Sequence, residues 1–105
     1  WYLNLEGSDY SGHKVKKICV YPNKRLSLQS HKNRSEHWII LEGVADIQIG
    51  TKKIKLKSSE STYVPIKKKH KITNNSRKPL LILETQLGTK ISEKDIVRFE
   101  DQYKR

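Results

Sequence analysis

Residues 25–43 read RLSLQSHKNRSEHWIILEG, and the period of this stretch decides the fold. Leu26 and Leu28 alternate with Ser27, Gln29 and His31. A polar turn at Lys32-Asn33-Arg34 leads into a second run that opens with Glu36 and ends at Gly43. Successive side chains of a strand point to opposite faces, so a period of two marks a half-buried strand. The same period continues on both sides. HKVKKICVY (13–21) alternates, is β-branched and ends at the turn Pro22-Asn23, and VADIQIG (44–50) stops at a glycine. KKIKLK (52–57) places Ile54 and Leu56 inward and Lys53, Lys55 and Lys57 outward. STYVPI (61–66) and HKIT (70–73) flank a lysine turn, and Asn74-Asn75-Ser76 forms the next loop. PLLILETQ (79–86) is the longest apolar run and reads as a central buried strand. Short strands at regular intervals with turn residues between them predict an all-β barrel or sandwich.

Only the C-terminal segment changes period. Ser92 with Asp95 three residues later has the form of a capping box, and Ile91 can staple onto Ile96. A short helix beginning near Glu93 is expected. Neither a linker nor an internal repeat interrupts the sequence, so residues 1–105 are expected to form a single domain.

The apolar share, 34%, is low for a globular protein, but it falls in periodic runs that can line one interior. No run approaches the roughly 20 apolar residues needed to span a bilayer, and no basic-then-apolar leader opens the sequence. The lone cysteine, Cys19, cannot make an internal disulfide; between Ile18 and Val20 it reads as a buried structural thiol. A cytoplasmic location is therefore expected. A net charge of +11 suits nucleic acid, an anionic small molecule or solvent alone. The lysine-rich segments 52–57 and 67–71 contain no Phe, Trp or Tyr, and lysine outnumbers arginine. Both features argue against nucleic-acid recognition.

Gln29 and His31, two apart, share a face and with Ser27 form a polar row opposite Leu26 and Leu28. A polar row turned into a barrel must be satisfied by something. A hairpin at 32–34 brings Glu36 opposite His31. An amide oxygen, an imidazole and a carboxylate then come within reach of one divalent cation, with His70 the candidate for the remaining strong ligand. His37, next to Glu36, faces away, and His13 falls in an N-terminal loop. Spacing alone fits a metal site and a hydrogen-bonded polar row equally well.

The frame Gln29-x-His31-x4-Glu36-x6-Gly43, followed by Pro65-x-Lys67-x2-His70-x3-Asn74, resembles the two motifs of the cupin superfamily. KVKKICVYPNKRLSLQSHKNRSEHWIILEG, STYVPIKKKHKITN and DIVRFEDQYKR are similar to the cupin domain of type II phosphomannose isomerases. That domain is the C-terminal part of bifunctional mannose-6-phosphate isomerase/mannose-1-phosphate guanylyltransferases. The resemblance implies a small cupin barrel, a double-stranded β-helix or jelly roll. It implies Gln29, His31, Glu36 and His70 as ligands of one divalent metal ion, zinc first, with cobalt, manganese or nickel as alternatives. It also implies interconversion of mannose 6-phosphate and fructose 6-phosphate through an enediol.

Such a reaction needs a base and a phosphate grip. Glu84, at the end of LLILE, is the first candidate for base or acid/base partner, because burial raises a carboxyl pKa. A carboxylate paired with lysine or arginine, or a metal-bound hydroxide as the base, are the alternatives. Arg98, in the family motif DIVRFED, is a catalytic and phosphate-binding candidate, since arginine binds oxyanions in bidentate fashion. Arg34 and Lys16 match family positions and are further substrate-binding candidates, though Arg34 can equally pair with Glu36 or Glu42. Trp38 and Tyr63 read as packing residues. Asn23 and Lys67 stand where the motifs usually have glycine, Asn33 where histidine is frequent, and YKR replaces a YGR ending. The competing reading is a non-catalytic cupin that binds a sugar phosphate or nucleotide sugar, partnering a separate guanylyltransferase. A homodimer is expected by resemblance alone, and a basic nucleic-acid binder is the weakest alternative.

Overall fold

The computed structural model describes residues 1–7, 12–31, 34–88 and 96–98, with residues 27, 28 and 96–98 described by backbone alone. Ten strands run through these residues: β1 (Tyr2–Gly7), β2 (His13–Val20), β3 (Arg25–His31), β4 (Arg34–Glu42), β5 (Val44–Ile49), β6 (Lys52–Lys57), β7 (Ser61–Val64), β8 (His70–Thr73), β9 (Leu80–Gly88) and β10 (Ile96–Arg98). They form two five-stranded sheets, ordered β1-β2-β9-β4-β7 and β10-β3-β8-β5-β6, and every pairing is antiparallel. The all-β expectation holds. Among the described residues no helix is long and apolar enough to cross a membrane.

Inward positions follow the period of two, and antiparallel register brings like with like. The ladder sets Ile18 opposite Ile82 and Ile82 opposite Ile40. With Val20, Trp38, Ala45, Ile47, Val64, Ile72 and Leu80 these residues form the core, and Leu26, Ile49, Ile54 and Leu56 pack against it. Each fully buried aliphatic side chain contributes about 1.5–3 kcal/mol. Cys19 is buried and free, as expected. Toward the other end of the same three strands the inner face turns polar: Lys14 lies opposite Gln86, which lies opposite Glu36, and Lys16 lies opposite Glu84, which lies opposite Trp38. The roll therefore has an apolar end and a polar end, both built on β2, β9 and β4.

Gly43 makes the turn between β4 and β5 at φ +91°, where a Cβ would stand 2.8 Å from the Pro79 carbonyl oxygen, so only glycine fits. Asn23 and Lys67, the two departures from glycine, do adopt left-handed backbone, at φ +62° and +67°.

Four expectations need correction. β3 and β4 do not form a hairpin ladder; they lie in different sheets, so His31 and Glu36 meet across the interior. Gln29 and Leu26, expected on opposite faces, both turn inward: a register shift against β8 falls between them, and the extra residue of a bulge resets the alternation. His13 opens β2 instead of sitting in a loop, and β1, not foreseen, pairs along it with Glu6 bonded to the His13 ring at 3.1 Å. The C-terminal helix does not extend over Ile96–Arg98, which form β10 along the edge of β3. β-branched Ile96 and Val97 favour that ladder over a helix. The capping-box residues Ser92 and Asp95 lie outside the described residues.

Candidate active site

The polar end of the roll gathers every sequence-nominated residue whose side chain is described. Gln29, His31, Arg34, Glu36, His70, Lys16 and Glu84 are all at least nine-tenths buried. β3 and β8 bring Gln29 directly opposite His70, while His31, two residues on, points to the same interior. β4 supplies Glu36 from the facing sheet. His37 is exposed and stacks on Tyr63, as expected for the outward position. Arg98 pairs with Gln29 through its backbone.

The donor atoms of His31, Glu36 and His70 lie within 4.8 Å of one another. His31 Nε2 stands 3.0 Å from Glu36 Oε2. Two ligands of a tetrahedral zinc at 2.0–2.1 Å are about 3.3 Å apart, so this hydrogen-bonded pair would need to open only slightly to share a cation. The His70 ring is braced on both sides, tilted over His31 and edge-on to Trp38, each at 5.1 Å between centroids. His31 Nδ1 is buried without a hydrogen-bond partner. The donor set, two imidazoles and a carboxylate beside an amide, suits zinc or a neighbouring divalent metal. Such a metal would have to displace Arg34, whose Nε donates to Glu36 Oε2 at 3.0 Å and whose terminal nitrogen lies 3.2 Å from His31 Nε2.

A second carboxyl sits behind this set. The Trp38 indole N–H points at both carboxyls, 2.9 Å from Glu36 Oε1 and 3.2 Å from Glu84 Oε1, and Gln86 donates to Glu84 Oε2 at 2.9 Å. Two buried carboxyls this close cannot both ionise cheaply. Burial, then the charge of Glu36 and the hydrogen bond to it, push Glu84 up to about 8 against the pull of Arg34 and Lys16. Burial also works on Glu36 in the same direction. There the hydrogen bonds with His31 and Glu84 and the positive charge of His70 and His31 win, leaving it well below its ordinary value. One proton thus resides on Glu84 while Glu36 stays ionised.

The sequence reading missed Lys14 and Gln86, both buried here, and read Trp38 as packing only. Parity carried the signal: Lys14 and Lys16 share a face with Ile18 and Val20, and Gln86 shares one with Leu80 and Ile82.

A family model described as mannose-6-phosphate isomerase C-terminal matches residues 2–101. The chain belongs to this family. Among relatives of the mannose-6-phosphate isomerase C-terminal domain, it is 44% identical over 91 residues to xanthan biosynthesis protein XanB of Xanthomonas campestris pv. campestris, covering 87% of this chain and 20% of that protein. It is 41% identical over 91 residues to a mannose-1-phosphate guanylyltransferase of Klebsiella pneumoniae, covering 87% and 19%. The chain thus spans about a fifth of the length of the curated relatives it matches. Among solved structures, the cupin domain of Schizosaccharomyces pombe Cnp3 superposes with a TM-score of 0.78 at 13% identity, covering 83% of this chain and 63% of that one. At that identity the likeness shows the fold alone, and the fold is the cupin barrel.

Proposed function

We propose that this barrel is a metal-dependent aldose–ketose isomerase, interconverting mannose 6-phosphate and fructose 6-phosphate through an enediol. The observation that carries the proposal is the buried donor set His31, Glu36 and His70 with a proton-bearing carboxyl, Glu84, on the far side of a shared indole N–H. Isomerisation moves a proton between C1 and C2, and the developing oxyanion needs electrostatic stabilisation. A divalent metal ion, zinc first, held by Gln29, His31, Glu36 and His70, would supply Lewis-acid polarisation of the sugar oxygens.

The rest is work for side chains. In its ionised form Glu84 takes the proton from C2 and returns it to C1 while the hydroxyl proton passes from O2 to O1; a pKa near 8 keeps both the acid and the base form of this carboxyl accessible near neutral pH. Trp38 and Gln86 each hold one of its oxygens and so fix the direction of transfer. Lys16, Arg34 and Arg98 bind the phosphate and sugar oxygens. A cytoplasmic location belongs to the same reading, since its substrates are phosphorylated sugars.

One feature favours the competing reading, a barrel that holds the sugar phosphate without converting it: Arg34 contacts both atoms a metal would take. A coupled assay of mannose 6-phosphate conversion separates the two. Protein stripped with chelator and reloaded with zinc, cobalt or manganese is expected to turn over, and His31→Ala to lose both metal and turnover. Tight metal binding without turnover would overturn the isomerase and leave the binding module.

A further inference from the structure

The edges of the two sheets differ in what protects them. An edge strand offers unpaired backbone N–H and C=O groups to any extended segment, and bulges, proline, short length or charge blunt it. β1 is interrupted by a register shift between Asn4 and Glu6. β7 has four residues and runs into Pro65, and β10 spans only Ile96–Arg98. β6 alone among these edges is both six residues long and unbroken: Lys52 to Lys57 pair with Ile49 to Val44 without a shift. Among the described residues no strand pairs with its other side.

What guards β6 is charge. Lys53, Lys55 and Lys57 are exposed on the outer face at the roughly 7 Å repeat of a strand, while Ile54 and Leu56 pack inward, partly buried, against the core. Two copies meeting along β6 would set lysine against lysine, and like charges directly opposite are destabilising. The same row attracts an acidic strand. Asp46 is the one acidic residue in β5, β6 and β8; Asn75 Nδ2 donates to it at 2.8 Å, and Lys55 Nζ stands 3.8 Å from it. Glu60, in the turn after β6, accepts from the Lys57 backbone N–H at 2.7 Å. Four lysines in KKIKLK outweigh these two carboxylates, so the edge stays positive. On the outer face beside the row, Asp46, Gln48, Lys53, Lys55, Lys71 and Thr73 wall a groove of about 370 Å³, room for side chains of a bound segment.

We propose that β6 is a docking edge for an acidic extended segment of a partner protein, one that alternates acidic and apolar side chains. Its backbone pairs with the open side of β6, its acidic side chains meet Lys53, Lys55 and Lys57, and its apolar ones continue the inner row of Ile54 and Leu56. The edge lies on the outside of the barrel, so this surface does not depend on the isomerase reading.

The test titrates 15N-labelled protein with short acetylated peptides and follows backbone amides by NMR. A peptide alternating Glu and Val is expected to saturate and to shift residues 52–57 most. It should also slow hydrogen exchange at every second amide of β6, those that point away from β5. Lys53→Glu combined with Lys55→Glu should weaken it about tenfold or more, and a peptide alternating Lys and Val should bind that variant instead. Should the variant fail to fold, salt on the wild type gives the same reading: a rise from about 0.05 to 0.5 M should weaken the peptide about tenfold. No saturable binding, or shifts along β1 in place of β6, would overturn the proposal. So would equal binding by a peptide with its Glu residues grouped at one end, or by one N-methylated at alternate residues, since charge alone would then suffice. Equal affinity for a single-stranded oligonucleotide or for anionic vesicles, neither of which has a strand to add, would overturn it as well.

Discussion

Lys67 sits at φ +67° with its backbone N–H donating to the His31 carbonyl at 2.7 Å, so the turn before β8 is tied to the end of the strand that carries two site residues. An L side chain in this region costs about 1–2 kcal/mol, part of which glycine returns as unfolded-state entropy. Lys67→Gly should stabilise the protein by about 1 kcal/mol and raise Tm by roughly 4–8 °C, read by thermal denaturation. Glu84 yields a prediction of opposite character. Its folded pKa of about 8 lies above the ordinary carboxyl value of 4.5, so between those limits the native state holds more protons than the unfolded one. Stability of chelated protein should fall as pH rises through that window, by up to about 1.4 kcal/mol per pH unit. Above pH 8 that fall is complete. Glu84→Gln, uncharged throughout, should remove this slope in denaturant titrations run from pH 5 to 9.

Residue identities in the site were largely legible because spacing converts directly into facing. Gln29 and His31 share a face by parity, and His70 follows from the second motif. What parity could not deliver was which sheet each strand joins, and so that His31 and Glu36 meet across the interior. Lys14 escaped for the opposite reason: parity placed it beside Lys16 on the inner face, but a lysine in a basic chain is ordinarily solvated.

At the scale of elements, the loop between β8 and β9 is held by one side chain. Asn74, fully buried, donates to the Val20 carbonyl at 2.9 Å and the Lys78 carbonyl at 2.7 Å, and its Oδ1 accepts from the backbone N–H and hydroxyl of Ser76 at 3.0 and 2.7 Å. Its own N–H and carbonyl bond to Lys24 and Asn23. It therefore pins the ends of β2, β8 and β9 together. Asn74→Ala strands the buried Val20 carbonyl and frees the part-buried Lys78 carbonyl, and should cost about 2 kcal/mol, seen as a lower urea midpoint at unchanged slope. Boundaries of β3, β5, β6 and β8 followed from alternation between turn residues. β1 and β10 did not, because edge strands are defined by the partner they add to more than by their own pattern. The bulge between Leu26 and Gln29 was equally invisible: a one-residue insertion in register leaves no compositional trace.

For the molecule as a whole, a low apolar content suffices because each inner face is shared between two tasks. The rows containing Ile18, Ile82 and Ile40 hold the sheets together, and the rows containing Lys14, Lys16, Glu84, Gln86 and Glu36 make the other end polar. The outward lysines of β6 stay in solvent, where each should be replaceable by glutamine within about 0.5 kcal/mol by denaturation. The central claim is that this polar end performs proton transfer on a sugar phosphate. The most direct measurement follows fructose 6-phosphate by NMR with metal-loaded wild-type protein and metal-loaded Glu84→Gln in parallel. The account predicts that mannose 6-phosphate appears with the wild type and forms at least a hundredfold more slowly with the variant, as loss of a general acid–base group requires. No mannose 6-phosphate from the wild type, or equal rates from both proteins, would contradict it.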